Sequence, residues 1–346
     1  MAHASDAEWH AGPGGTALLM QLGYTCSSEE FEASDLVRFA TMAEDAGFPF
    51  VTVSDHFHPW TTSQGHSPFA WSTLGAIAAR THSVRMGTGV TCPLIRIHPT
   101  IVAQAAATVS ELSGGRFFLG VGTGEALDEH ITGDRWPPID VRQEMLAEAI
   151  GIIRELWTGE TVDHHGAHYT VENAKLFSAS PHPIDIVWAA GGPASARYAA
   201  KHADGMWATS PSADTAQAYR DAGGDGVMIG QLTICWGPAE RAARTAFEIW
   251  PNAAVQGQLS QDLPTWSHFE QAARMVTSDD VAKSVVVGDD DGAVFDRIGQ
   301  FADAGFTHLH LHQVGPDQAV FFDAWRSELH SAIAERVGAG ATSRQR

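Results

Sequence analysis

Short apolar runs rich in β-branched residues alternate with stretches of helical periodicity along nearly the whole chain, and this alternation limits the fold more than any other feature. Eight strand signals stand at Thr16–Tyr24, Val51–Ser54, Val84–Val90, Arg116–Val121, Ile184–Ala190, Gly205–Thr209, Gly226–Cys235 and Thr307–Val314. Nearly all are followed by a helical pattern. In the first of these, over Ala33–Ala46, Leu36, Phe39, Ala40 and Ala43 share one face, and Gly47 closes it. The alternation implies parallel strands joined by helices, and eight such units favour a closed α/β barrel, the (β/α)8 TIM barrel, over an open doubly wound sheet. Residues 250–270 lack periodicity and read as an insertion in that barrel. No linker-like stretch divides the chain, so residues 17–338 are expected to form one barrel domain. Residues 1–16 and 339–346, rich in small and polar side chains, are expected to be flexible tails.

The charge balance bounds the partners. A formal net charge of −20 argues against nucleic acid and against anionic membrane surfaces, and no apolar run is long enough to span a bilayer. An anionic small molecule stays possible, because helix N-termini and glycine turns bind phosphate without net positive charge. Cys26, Cys92 and Cys235 are sparse, odd in number and without CxxC spacing, which points to a reducing, cytoplasmic compartment.

In a barrel of this kind ligands sit in the loops that follow the strands. Asp55-His56-Phe57-His58-Pro59-Trp60 follows the second strand, where an imidazole suited to proton transfer leaves the sheet beside a carboxylate and an indole. Gly120-Val121-Gly122-Thr123-Gly124-Glu125 follows the fourth. Its alternate glycines suit a flat ring lying close to the backbone, and a buried Glu125 would have a raised pKa and a proton to deliver. Gly191-Gly192-Pro193 opens a helix and suits a phosphate group, with Thr209 and Ser210 available nearby. The plainer alternative for each segment is a structural turn. His308, His310 and His312 share one face of the last strand; interior histidines held by hydrogen bonds are expected there, not a metal site.

Several of these segments, in order and at these spacings, carry a family likeness: Leu22-Gly23-Tyr24, Ser54 to Trp60, Thr91-Cys92-Pro93 with Pro99 and Val102-Ala103-Gln104, Gly120 to Glu129, Leu156-Trp157, and Ala189 to Pro193. Over residues 18–338 the chain resembles the F420-dependent dehydrogenase branch of the luciferase-like barrel superfamily, which holds glucose-6-phosphate and alcohol dehydrogenases. The resemblance implies a hydride exchange between a small-molecule alcohol or carbonyl compound and the deazaflavin coenzyme F420, in a homodimeric enzyme. His56 matches the general base, Trp60 the aromatic residue beside the substrate, Glu125 the acid near the ring nitrogen, and Glu29 a second active-site carboxylate. Asp55, Thr123, Gly124 and Asp128 match contacts to the coenzyme, and Gly191 with Gly192 match its phosphate site. Gly89-Val90 occupies the position of a non-prolyl cis peptide behind the ring. Asp128 departs from the sugar-phosphate enzymes, which carry Asn there.

Substrate choice follows from charge. The sugar-phosphate enzymes hold the phosphate with lysines and an arginine, whereas residues 251–272 here contain no Lys or Arg and Ser284 stands where arginine is expected. Trp60, Trp188, Trp207 and Phe269 are instead expected to line an apolar pocket for a secondary or larger alcohol. The alternatives are an F420-dependent sugar-phosphate dehydrogenase and an FMN-dependent monooxygenase of the same superfamily.

Overall fold

Each of the eight strand signals becomes a strand of one ring. A computed structural model describes residues 20–255 and 257–333. The barrel strands are β1 (Gln21–Cys26), β2 (Phe50–Val53), β3 (Arg85–Thr88), β4 (Phe117–Val121), β5 (Ile186–Ala189), β6 (Gly205–Ala208), β7 (Val227–Cys235) and β8 (His308–Gln313). Consecutive strands pair in parallel, and β8 closes on β1 with His308 opposite Gln21 and Leu311 opposite Tyr24. The closed (β/α)8 barrel expected from the alternation is therefore the observed fold. The expected tails, residues 1–16 and 339–346, lie outside the described residues.

The helices that cover the ring are α1 (Ala33–Asp45), α2 (Ala70–Arg80), α3 (Pro99–Leu112), α4 (Ile139–Trp157), α5 (Pro193–His202), α6 (Ala213–Asp221), α7 (Asp291–Asp303) and α8 (Gln318–Ala324). Their apolar stripes pack on the outward side chains of the strands, as Leu36, Phe39, Ala40 and Ala43 of α1 do. The stretch between β7 and α7 folds as helix Ala239–Ile249, short helices over Gln258–Asp262 and Trp266–Ala273, and a two-residue strand, Val286–Val287, paired in parallel with Ile234 and Cys235 at the end of β7. A hairpin, Val162–His165 with Thr170–Ala174, follows α4; its polar, partly exposed strands carry no apolar alternation that would have announced it.

Large rings fill the barrel interior. Phe50, Phe118, Val187, Trp207, Val227 and Ile229 form one buried cluster there. Gly23 and Gly87 are glycines because a Cβ on either would run into the ring of Phe50 or Phe118 respectively. His310 stands in the same space, its ring centroid 4.1 Å from that of Trp207 and its Nδ1 against Thr25 and Thr52. Burial, with the neighbouring His312 adding to it, pushes the His310 imidazolium well below its ordinary range, so the ring is neutral. The strand histidines are thus interior, as expected, although the Nε2 of His310 has no hydrogen-bond partner.

One expectation fails. Trp188 cannot line a pocket at the barrel mouth, because it points outward into the helical layer. It stacks on Tyr198 with centroids 5.8 Å apart, and its Nε1 donates to Ser195 Oγ at 3.0 Å. Val187, its neighbour, takes the inward position.

Candidate active site

The loops after β1, β2, β3, β4 and β5 converge at the C-terminal end of the barrel. After β2 the β-branched run stops at Val53, and Ser54, Asp55 and His56 turn across the rim. Ser54 fixes this turn by donating from Oγ to Glu29 Oε2, while Ser28 Oγ donates to the Ser54 carbonyl at 2.8 Å. After β4 the single helical turn Ala126–Glu129 presents Asp128, and after β3 the Gly89–Val90 peptide is cis.

His56 is the meeting point. Its Nδ1 lies 2.8 Å from Asp128 Oδ2 and its Nε2 lies 3.4 Å from Glu29 Oε1. Asp128 Oδ1 also accepts the backbone N–H groups of Phe57 and His58, at 2.8 and 3.0 Å, so this carboxylate splints the His56 loop to the β4 loop. One ring nitrogen of His56 and one carboxylate oxygen from each of Glu125 and Asp128 fall within 4.8 Å of one another. The Trp60 ring stands over His56 with centroids 5.0 Å apart, and is backed at 5.0 Å by Phe269 from the insertion.

The electrostatics follow from burial and crowding. Burial lowers the His56 imidazolium, but the charges of Asp128 and Glu29 outweigh it and raise it to about 10. Burial raises Glu29 and Asp128, yet His56 and their hydrogen bonds bring both below the ordinary carboxylate value. Glu125 goes the other way. Burial pushes it up to about 7, with the charges of Asp128 and Glu129 adding to the rise and that of His56 opposing it.

Beside this cluster lies a cleft of about 500 Å³, whose wall includes Asp55, Val90, Thr123, Gly124, Glu125 and Asp128. Gly191 and Gly192 line it as well, and a Cβ on either would meet nothing within 4 Å, so bare backbone at the start of α5 faces open space. Gly89 lies behind Val90, against Trp207 and Thr52. The glycines at the end of β4 and in its loop, two of which line the cleft, are also packed closely against β3 and its loop. A Cβ on Gly120 would strike the Thr88 carbonyl, one on Gly122 would stand 2.8 Å from Val90, and one on Gly124 would strike Cys92. They make room for the protein's own β3 loop.

Two buried cations complete the rim. Arg96 Nη2 donates to Asp55 Oδ1 at 3.0 Å and its Nε to Glu129 Oε1 at 3.4 Å, while Thr91 Oγ1 donates to Asp55 Oδ2 at 2.6 Å. Arg142 donates to the Gly124 carbonyl at 3.2 Å and to Gln261 at 3.0 Å, and lies 4.0 Å over the Trp136 ring. Sequence reasoning gave neither a role. For Arg142 a signal existed: it falls in register with Leu146, Ala149 and Ile153 on the buried face of α4.

Known proteins share this barrel and its family. The family model described as luciferase-like monooxygenase matches residues 14–308. The chain belongs to that luciferase-like family. Among the relatives of this luciferase-like protein, the F420-dependent glucose-6-phosphate dehydrogenase of Segniliparus rotundus is 35% identical over 330 residues, spanning 90% of this chain and 98% of the relative. The enzyme of the same name from Mycobacterium tuberculosis is 34% identical over 326 residues, spanning 90% and 97%. Among solved structures, an F420-dependent secondary alcohol dehydrogenase in complex with an F420-acetone adduct superposes with a TM-score of 0.82 at 28% identity, covering 89% of this chain and 97% of that one. The coenzyme F420 dependent tetrahydromethanopterin reductase of Methanopyrus kandleri, at 18% identity and a TM-score of 0.73 over 91% and 99%, shares the luciferase-like fold.

Proposed function

We propose that this protein is a coenzyme F420-dependent oxidoreductase that exchanges a hydride between a secondary or larger alcohol, or the matching carbonyl compound, and the deazaflavin ring. The observation that carries the reading is the clustering of His56, Glu125 and Asp128 within 4.8 Å at the edge of a cleft of about 500 Å³. When bound, the coenzyme supplies a ring carbon that accepts or gives hydride. Val90, backed by Gly89, would support the ring, with Asp55, Thr123 and Gly124 along its edge and the N–H groups at Gly191 and Gly192 taking its phosphate. The open backbone at those two glycines and the buried carboxyl of Glu125 fit such a guest.

In this reading His56 exchanges the hydroxyl proton with the substrate, Glu29 holds the far side of the imidazole, and Glu125 handles the proton of the ring nitrogen. Trp60 walls the substrate and, with Phe269 behind it, keeps water from the reacting atoms. A homodimer in the cytoplasm is part of the same proposal; its support is the family resemblance and three cysteines that are all free and buried.

A sugar phosphate is the second reading, favoured by relatives at 34–35% identity that bear that name. Against it, the two guanidiniums at the rim are committed to the protein itself, Arg96 to Asp55 and Glu129 and Arg142 to Gly124 and Gln261. A phosphate dianion needs such charge-assisted donors. The deciding assay offers oxidised F420 with isopropanol, longer secondary alcohols or glucose 6-phosphate, and follows loss of the coenzyme's visible absorbance. Bleaching with alcohols only, slowed by roughly 10²–10⁴-fold in His56→Ala, is expected. Bleaching with the sugar phosphate would move the protein to the second reading. Binding of FMN in place of F420 would make it a monooxygenase.

A further inference from the structure

We infer that Asp128 is a positioning residue which, together with Glu29, holds His56 as an imidazolium, so that the resting site is set to give a proton to a carbonyl oxygen rather than to take one from an alcohol. This rests on the oxidoreductase reading above and goes beyond it by naming the ketone or aldehyde as the substrate class.

The argument begins with donors and acceptors. A neutral imidazole has one N–H and one lone pair, so it satisfies a single carboxylate and turns its lone pair on any second. Both ring nitrogens of His56 lie beside carboxylates, Nδ1 2.8 Å from Asp128 and Nε2 3.4 Å from Glu29; Nδ1 has no well-aligned hydrogen bond among the described residues, so the pairing is ionic in character, and only the doubly protonated ring is attracted to both carboxylates at once. Each carboxylate is itself an acceptor fixed by other donors. Asp128 takes the N–H groups of Phe57 and His58, and Glu29 takes the hydroxyls of Ser27 and Ser54. Both are therefore held in the ionised form.

The remaining neighbours do not offset this. Glu125, on the loop that carries Asp128, adds a third carboxyl to the His56 side, and the element across the ring contributes the uncharged indole of Trp60. Arg96 is turned to Asp55 and Glu129, and the charge of His312 acts on Glu29. With these charges around it, the His56 imidazolium titrates at about 10. A base at His56 needs an unprotonated lone pair, which the doubly protonated ring does not have.

Asp128 lines the cleft and, in addition, is tied to the His56 loop. Its carboxylate is buried, and its oxygens are spent on the His56 ring and on the backbone of the same loop. In the reducing direction the carbonyl carbon gains a hydride from the reduced coenzyme and the carbonyl oxygen gains the Nε2 proton of His56. The product is the alcohol; the two electrons come with the hydride that the reduced coenzyme would supply, and Glu125 would take up the proton released at the ring nitrogen. His56, left neutral, is recharged from solvent. Glu29 holds Nε2 less closely than Asp128 holds Nδ1, so the substrate oxygen enters on the Nε2 edge.

The test reads His56 directly. Full-length protein with ¹⁵N-labelled histidine is titrated by NMR, the His56 signals being assigned by their loss in His56→Gln. An imidazolium that survives well above the ordinary histidine range is expected in the wild type, with Asp128→Asn bringing its midpoint down by roughly 1–3 pH units. In parallel, initial rates are measured across pH in both directions with acetone and isopropanol as probes, alongside F420 binding followed by fluorescence. Alcohol oxidation should climb with pH towards the His56 midpoint, while acetone reduction holds level and then falls. In Asp128→Asn both limbs should move down together. A merely structural Asp128 would lower both rates by one factor and leave the limbs in place, which would overturn the inference. A neutral wild-type His56 at about pH 7 would overturn it outright, and that measurement needs no variant to fold. Failure to bind F420, or no turnover in either direction, would instead sink the oxidoreductase reading while the NMR titration still decides the state of His56.

Discussion

Arg96 holds a place that no other side chain in the rim could fill. Its fork reaches Asp55 and Glu129 at once, and all three side chains are less than a tenth exposed. Removing the cation leaves two buried carboxylates without the counter-charge they share. Arg96→Met, which keeps much of the volume, should therefore destabilise the protein by about 3–5 kcal/mol, read as a shift in the urea midpoint at constant slope. Arg96→Lys should recover only part, because one ammonium does not span both partners. An unchanged midpoint in Arg96→Met would show that the carboxylates find other partners. Side-chain chemistry alone made His56, Trp60 and Glu125 visible in the sequence, since an imidazole, an indole and a lone carboxyl after barrel strands announce what they can do. Asp128 and Arg96 were harder. What each one does depends on partners 71 and 41 residues away in the chain, and only the closed ring brings those together.

At the scale of elements the interior of the barrel is decided by pairs, a ring on one strand and a glycine on its neighbour. Gly87 on β3 lies opposite Phe118 on β4, where a Cβ would overlap the phenyl ring. Gly87→Ala should cost roughly 1–3 kcal/mol by overpacking. Adding Phe118→Leu should return part of that loss, so a double-mutant cycle on thermal stability should show positive coupling; strict additivity would place the clash elsewhere. The eight strands could be found from the sequence because each is a short β-branched run. Their parity could not, which is why Trp188 was misjudged. Barrel strands are buried on both faces, so Ile186, Val187 and Trp188 give no polar alternation to say which of them points inward. Helix α6 escaped notice for a related reason. Its buried face is only Thr215, Ala216 and Tyr219, too little apolar side chain to mark a period.

Over the whole molecule, 41 acidic residues face 21 basic ones, for a net charge of −20. The compact state confines this excess, and its self-repulsion works against folding. Surface ion pairs such as Arg38–Asp35, Lys283–Asp280 and Arg326–Asp323 are exposed, three residues apart and weak, so they offset little of it. The buried contacts of the rim are screened far less, because salt ions do not enter there. Added salt thus weakens a few marginal attractions and many repulsions, and the repulsions should win. Between about 0.01 and 0.15 M sodium chloride the screening length falls from about 30 to about 8 Å, and the melting temperature should rise over that range. Working at these concentrations separates screening from the general effect of excluded salts on apolar burial, which needs more concentrated solutions and favours sulfate over chloride. If the melting temperature falls instead, the local pairs outweigh the global field, and the acidic surface is organised into networks rather than simply carried as excess charge.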